Sequence, residues 1–144
     1  MYKLETRIEF EAAHRLYDVD TYSEECRNNV HGHSYKVTFI VGGDLNSAGM
    51  VVDFKLLKKI IREKIEQPFD HSCILRSSDP LCNDMLKECK KVHIVDENPT
   101  AEWMAKQYFD IVNVALGKSG IVNCRVLECR VQETEHNIAI YSKD

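Results

Sequence analysis

Two stretches constrain this chain more than any others, because each alternates polar and apolar residues and each meets histidine at the same end. In residues 2–14, Leu4, Ile8, Phe10, Ala12 and His14 fall on one side, with Lys3, Glu5, Arg7, Glu9 and Glu11 on the other. A period of two is that of a strand with one face buried and one in water. The pattern returns in residues 31–41, where His31, His33, Tyr35, Val37, Phe39 and Val41 oppose Gly32, Ser34, Lys36 and Thr38, and Gly42 and Gly43 close the strand. The polar, irregular stretch 15–30 reads as the loop between them. An antiparallel hairpin lays the end of the first strand beside the start of the second, so three imidazoles project from one face at one end of the sheet. Alternate strand residues point the same way, which makes His-x-His a natural pair of metal ligands. Three neutral histidines, His14, His31 and His33, leave one tetrahedral position of a zinc ion open, as in catalytic rather than structural sites. His-x-His alone fits ordinary polar residues equally well. The convergence of a third imidazole, costly to bury unpaired, carries the metal assignment.

The rest of the chain supplies two helices and a second hairpin. Asp53 reads as an N-cap, followed by Phe54, Leu57, Ile60, Ile61 and Ile65 at helical spacing, with Pro68 as the stop. Residues 72–98 are mostly polar, with a short strand at 92–95. A second helix runs from the Thr100 N-cap to Leu116, burying Met104, Tyr108, Ile111, Val112 and Ala115, with Gly117 as its terminator. Residues 121–133 and 137–142 form a closing hairpin, and the alternation slips between Val126 and Leu127, which predicts a bulge. The order strand-strand, helix, helix, strand-strand predicts a single α+β domain over residues 1–144. It has an antiparallel four-stranded sheet with two helices packed on one face.

Composition narrows the function. At 144 residues and 44% hydrophobic content the protein can bury a core without disulfides. A net charge of −4 and a pI of 5.9 argue against a nucleic-acid partner. No C-x-x-C pair occurs among the six cysteines, and no run approaches the roughly 20 apolar residues of a membrane span. The charged start MYKLETRIEF lacks the apolar core of a signal peptide. The expectation is a cytoplasmic protein with free thiols.

Six segments, in this order and spacing, carry a resemblance. They are FEAAHRL at 10–16, a cysteine followed by HGHSY at 31–35, GMVVDFKLLK at 49–58, FDH at 69–71, NPTAE at 98–102 and QETEHNIAIY at 132–141. Over nearly its whole length the chain resembles the 6-pyruvoyl-tetrahydropterin synthase family, which includes the 6-carboxy-tetrahydropterin synthases of queuosine biosynthesis. The resemblance implies a tunnelling fold whose barrels are shared between subunits, assembled as a homohexamer of paired trimers. It also implies Zn2+ on His14, His31 and His33, and 7,8-dihydroneopterin triphosphate as substrate. Both family activities remove triphosphate. One leaves a 6-pyruvoyl product, and the other leaves a 6-carboxyl group and acetaldehyde.

The resemblance also implies roles. Cys26 matches the family's catalytic cysteine, and a thiolate beside the metal can abstract a C–H proton that zinc has made more acidic. By position alone Cys26 is an ordinary loop cysteine. Four residues separate it from His31, against three in the queuosine-type enzymes and five in the biopterin-type. Asp70 and His71 match a relay pair in which the carboxylate sets the imidazole tautomer; without the match they read as a polar turn. Glu133 matches the residue that grips the pterin, its carboxylate accepting two parallel hydrogen bonds from the ring's amino group and adjacent N–H. Its place after Leu127, Cys129 and Val131 on an apolar face requires such a partner. Thr100 matches a pterin-contacting position and is equally an N-cap. The remaining cysteines, His93 and His136 read as structural or incidental. Arg15, Arg27 and Lys36 lie near the loops a triphosphate would approach. The leading reaction is the 6-carboxy synthase, favoured by NPTAE. The alternatives are the 6-pyruvoyl synthase, favoured by ETEHNIAIY, and a zinc- and pterin-binding protein without turnover.

Overall fold

The structure, a computed structural model, describes residues 1–143. Strand β1 (Tyr2–His14) and strand β2 (His31–Gly43) pair antiparallel along their full length. Strands β5 (Cys124–Thr134) and β6 (Asn137–Ser142) extend that sheet from the β2 side. The sheet does not stop at these four. Strands β3 (Ser72–Arg76) and β4 (Val92–Val95) join parallel to β1, giving a six-stranded mixed sheet in the order β4-β3-β1-β2-β5-β6. The expected four-stranded antiparallel sheet is corrected accordingly. The four residues Ser72–Leu75 are all buried, so β3 carries no alternation for a period-two reading to find.

Helix α2 (Phe54–Ile61) begins as expected on Asp53, whose carboxylate accepts from the amides of Lys55 and Leu56. It does not end at Pro68. A π-helical turn (Arg62–Glu66) carries it into a last turn, α3 (Gln67–Phe69), with the proline inside. A proline tolerates the first turn of a helix because its missing N–H is unneeded there. The long helix α5 (Ala101–Lys118) runs through Gly117. Its true terminator is Gly120, at φ +77°. There Ile121 N donates to Leu116 O (3.2 Å) and Gly120 N to Gly117 O (3.1 Å), closing a Schellman motif. Two short helices, α1 (Glu24–Asn28) and α4 (Cys82–Glu88), occupy segments expected as loop.

Both long helices pack on the even-numbered face of β1. Phe10 stacks on Tyr35 at 5.4 Å and meets Tyr108 of α5 edge-on at 6.1 Å, and Phe69 fills the space beside them. Leu57, Ile60, Ile61 and Ile65 are buried from the first helical run, and Met104, Ala105, Tyr108, Phe109, Val112, Ala115 and Leu116 from α5. The larger of these each contribute about 1.5–3 kcal/mol. Phe54, expected in the core, is 58% exposed, and Ile111 only packs against its edge. Two irregularities of β5 matter below. Ile40 pairs with Glu128 and Val41 with Val126, so Leu127 is the bulge residue anticipated from the pattern, and Val126 takes its place on the buried face. A second register shift passes over Glu133 between Gln132 and Thr134.

Candidate metal and pterin site

The β1–β2 register places His14 opposite His31 and Ala12 opposite His33, which gathers three rings with centroids 4.6–5.1 Å apart. Their ring nitrogens include a set lying within 4.8 Å of one another. The hydrogen bonds behind the rings fix their chemistry. His14 Nδ1 lies 2.7 Å from the carbonyl oxygen of Pro99, and His31 Nδ1 lies 3.0 Å from that of Asn29. A carbonyl only accepts, so each neutral ring carries its proton on Nδ1 and leaves Nε2 as the lone-pair nitrogen. The two Nε2 atoms are 3.0 Å apart. Two lone pairs facing at that distance repel unless a cation lies between them. Two nitrogens on one tetrahedral zinc, at about 2.0–2.1 Å each, would be separated by roughly 3.3 Å. The donor set therefore fits zinc, and the Pro99 and Asn29 carbonyls are the kind of outer partners that orient metal-bound histidines.

The electrostatics agree. Burial drives the His14 pKa down to about 4, outweighing the Pro99 hydrogen bond, with the charges of His31 and His33 adding to the fall. Burial and His31 also lower His33. Neutral imidazole is the form a metal needs. Tyr35 stands directly beneath, its hydroxyl 3.4 Å from His14 Nδ1.

A cavity of about 660 Å³ opens in front of the three rings. Besides the histidines, its walls include Cys26 from α1, Thr100 and Glu102 from the start of α5, and Glu133 and His136 from the β5–β6 end. Glu133 follows buried Cys129 and Val131 at a spacing of two, so the alternation of β5 aims it at the inner face, and the β5–β6 register shift falls at the same residue. Its carboxylate is 25% exposed and lies 3.8 Å from His14 Nε2. Burial raises its pKa, Glu102 raises it further, and His31 offsets part of the rise. Thr100 is the N-cap expected of it, its hydroxyl accepting from Trp103 N at 3.1 Å, and the residue also lines the cavity.

Asp70 and His71 are elsewhere. They follow α3, with His71 at φ +59°. His71 lines a separate cavity with Glu11, Ala13, Gly32 and Ser34 of the hairpin's outward face, which Ala12 and His33 also border. His71 Nδ1 is 3.0 Å from Asp70 Oδ1, and Asp70 Oδ1 also accepts from Glu11 N at 3.0 Å. The Glu11 amide first, then His71 and Lys91, hold the Asp70 carboxyl below its ordinary pKa. The pair is a formed carboxylate–imidazole unit, but a single subunit does not bring it to Cys26. Glu102 and His136 went unassigned in the sequence. Glu102 is the last residue of NPTAE and follows Thr100 by two. His136 falls in the two-residue turn after β5, an exposed surface histidine as expected, and it also borders the cavity. Arg15 is bound to Asp79 by a short, largely buried ion pair, whereas Arg27 makes only long contacts with exposed Asp20 and Glu24. Buried Cys73, Cys82 and Cys129 have thiols pushed up by burial, as befits packing residues.

Residues 3–144 match the family described as 6-pyruvoyl tetrahydropterin synthase. The protein belongs to that family. It is 34% identical to a 6-carboxy-5,6,7,8-tetrahydropterin synthase of Rickettsia conorii, over 73% of this chain and 75% of that one. It is 33% identical to the human 6-pyruvoyl tetrahydrobiopterin synthase over 94% and 87%. Among solved structures, an uncharacterized protein of Wolinella succinogenes superposes with a TM-score of 0.82 at 20% identity, covering 99% of this chain and 98% of that one. The Caenorhabditis elegans 6-pyruvoyl tetrahydropterin synthase does so at 0.71 and 24%, covering 99% and 96%. At those identities the likeness speaks for the fold, which is that of the family. No helix among the described residues is long and apolar enough to cross a membrane.

Proposed function

We propose that this single-domain protein is a zinc-dependent lyase converting 7,8-dihydroneopterin triphosphate to 6-carboxy-5,6,7,8-tetrahydropterin, with release of triphosphate and acetaldehyde. Family membership makes it an enzyme of the tetrahydropterin synthase type. The observation that carries the finer reading is the single cavity shared by His14, His31, His33, Cys26, Thr100 and Glu133. His14, His31 and His33 would hold the zinc, which would polarise the substrate side chain and acidify its C–H bonds. Glu133 accepts from the pterin's amino group and neighbouring N–H, a pair of partners that its half-buried carboxylate otherwise lacks the solvent to replace. Thr100, held by its capping bond, borders the same ring. Cys26, at the cavity wall, takes up the substrate's proton as thiolate.

Asp70 and His71 serve that thiol from a neighbouring subunit. Their side of the sheet faces away from their own Cys26 cavity, and the β4 and β6 edges, with Ile94, Ile138 and Ile140 exposed, offer surfaces for further copies of the protein to cover. The assembly is a homohexamer built as a dimer of trimers, working in the cytoplasm. The rival product is the 6-pyruvoyl compound, favoured by the similarity to the human enzyme over nearly the whole length. Incubation of the zinc-loaded protein with dihydroneopterin triphosphate, followed by mass identification of products, decides. A 6-carboxyl product with acetaldehyde supports the proposal, a 6-pyruvoyl product supports the rival, and unchanged substrate overturns both.

A further inference from the structure

We propose that Arg15 and Asp79 are positioning residues that clamp the Cys26-bearing helix against the metal end of the sheet. The inference rests on Cys26 being the base. The segment that carries Cys26 has little else to hold it. Helix α1 is five residues long, buries no residue, and starts on Ser23, whose hydroxyl does not cap it. A helix that short is far below the length that is stable alone. The Arg27 ion pairs to Asp20 and Glu24 stay inside the same segment.

What ties α1 to the body runs through two adjacent residues, Arg15 and Leu16. Arg15, the first after β1, gives Asp79 a two-pronged contact: Nε to Oδ2 at 2.7 Å and Nη2 to Oδ1 at 2.5 Å. Its third nitrogen, Nη1, donates to Asn28 O at the end of α1 at 3.1 Å. Leu16 N donates to Cys26 O at 3.0 Å. The Asp79 side chain is fully buried and is itself fixed by Leu81 N, which donates to Oδ1 at 2.8 Å. Asp79 sits in the turn after β3, so the clamp joins the exits of β1 and β3 to α1. Burial pushes the Asp79 carboxyl up, but the Arg15 hydrogen bond, the Leu81 amide and the Arg15 charge outweigh it and hold it ionised. The planar guanidinium is suited to this, because its N–H donors lie on three separate nitrogens and can fork onto a carboxylate while another reaches a carbonyl; an ammonium's three donors share one nitrogen.

The clamp ends close to the metal ligands on both sides. Arg15 follows His14, and Asn28 precedes Asn29, whose carbonyl faces His31 Nδ1. It thereby sets the height of Cys26 above the three rings, and a base displaced by about 1 Å can lose on the order of 10²-fold in rate.

Two variants test this, Asp79→Asn and the milder Arg15→Lys, which keeps the charge pair but not the third contact. Cys26 alkylation by iodoacetamide is followed by peptide mass, with exposed Cys89 as the internal reference. The Cys26-to-Cys89 rate ratio should rise by about tenfold or more in both variants as α1 loosens. With zinc content retained, kcat should fall by about tenfold or more while KM moves little, and the double variant should be no worse than the worse single. An alkylation ratio within about twofold of wild type in folded Arg15→Lys overturns the clamp. If instead the ratio rises while kcat is unchanged, the clamp stands and Cys26 is not the base.

Discussion

Replacing Glu133 with glutamine separates the binding site's needs from those of the fold. The substitution keeps size and shape but exchanges one acceptor oxygen for an NH2 donor. In wild type the carboxylate is three-quarters shielded from water, feels Glu102, and faces a His14 that is neutral above about pH 4. Without the metal its charge is therefore poorly compensated, and in the metal-stripped protein at pH 7 removing it should stabilise the fold by about 0.5–2 kcal/mol, in the range typical of relieved charge repulsion. Pterin binding should move the other way. The charge-assisted hydrogen bond lost is worth about 1.5–3 kcal/mol, and the new NH2 would oppose a pterin N–H, leaving a buried donor unpaired at a further cost of about 1–3 kcal/mol. Together, about 3–5 kcal/mol corresponds to a rise in Kd on the order of 10²–10⁴-fold. Urea unfolding at pH 7 measures the first effect, and fluorescence titration with a tetrahydropterin ligand the second. Zinc content should not change. A Glu133→Gln protein that binds pterin within about threefold of wild type would remove the carboxylate from the pterin site. One that is destabilised would show that Glu133 has a structural partner in the protein.

Cys26→Ala should leave zinc and pterin binding nearly intact and lower turnover by roughly 10²–10⁴-fold, as expected for loss of a general base; near-normal turnover in a steady-state assay would pass the role to another group. His31→Ala should remove most bound zinc, read by metal analysis after dialysis, while circular dichroism reports a folded protein; full zinc occupancy contradicts the ligand set. In the metal-stripped protein, stability should decline as pH falls from about 6.5 to about 4. Across that window the unfolded state protonates His14 and the folded state does not, so the proton favours unfolding by up to about 3 kcal/mol; a flat urea midpoint over that range contradicts the burial of a neutral His14. Light scattering should give a mass of six subunits, and a single-subunit mass across a wide concentration range refutes the shared assembly.

What the sequence disclosed and what it concealed follow from how each element is buried. The metal end was legible because β1 and β2 each have one wet face, so the alternation that orients Phe10 and Val37 also orients His14 and His33. The Leu127 bulge was legible for the same reason: a broken alternation is visible only where alternation exists. β3 was not legible, because Ser72–Leu75 are buried on both faces and read as a featureless polar-apolar mixture. The helix ends misled because Gly117 and Pro68 are terminators only in certain contexts; a glycine with a negative φ can sit inside a helix, and a proline past a widened turn breaks no bond that was going to form. Asp70 and His71 were identified by resemblance and not by any periodicity, and their position on the outward face could not be read from spacing at all.

The same contrast bears on how the site is built. The three histidines are fixed by ladder register, which tolerates no one-residue slip without turning every residue over to the other face. Glu133, by comparison, stands where β5 slips against β6, and Cys26 sits on a five-residue helix held by Arg15 and Leu16. A metal centre tolerates no freedom in its ligands, whereas groups that contact the substrate gain from being set independently of the sheet's pleat. Residues between Leu16 and Asn28 lie outside the β1–β2 register, whereas Asn29, whose carbonyl faces His31 Nδ1, belongs to the support of His31 itself.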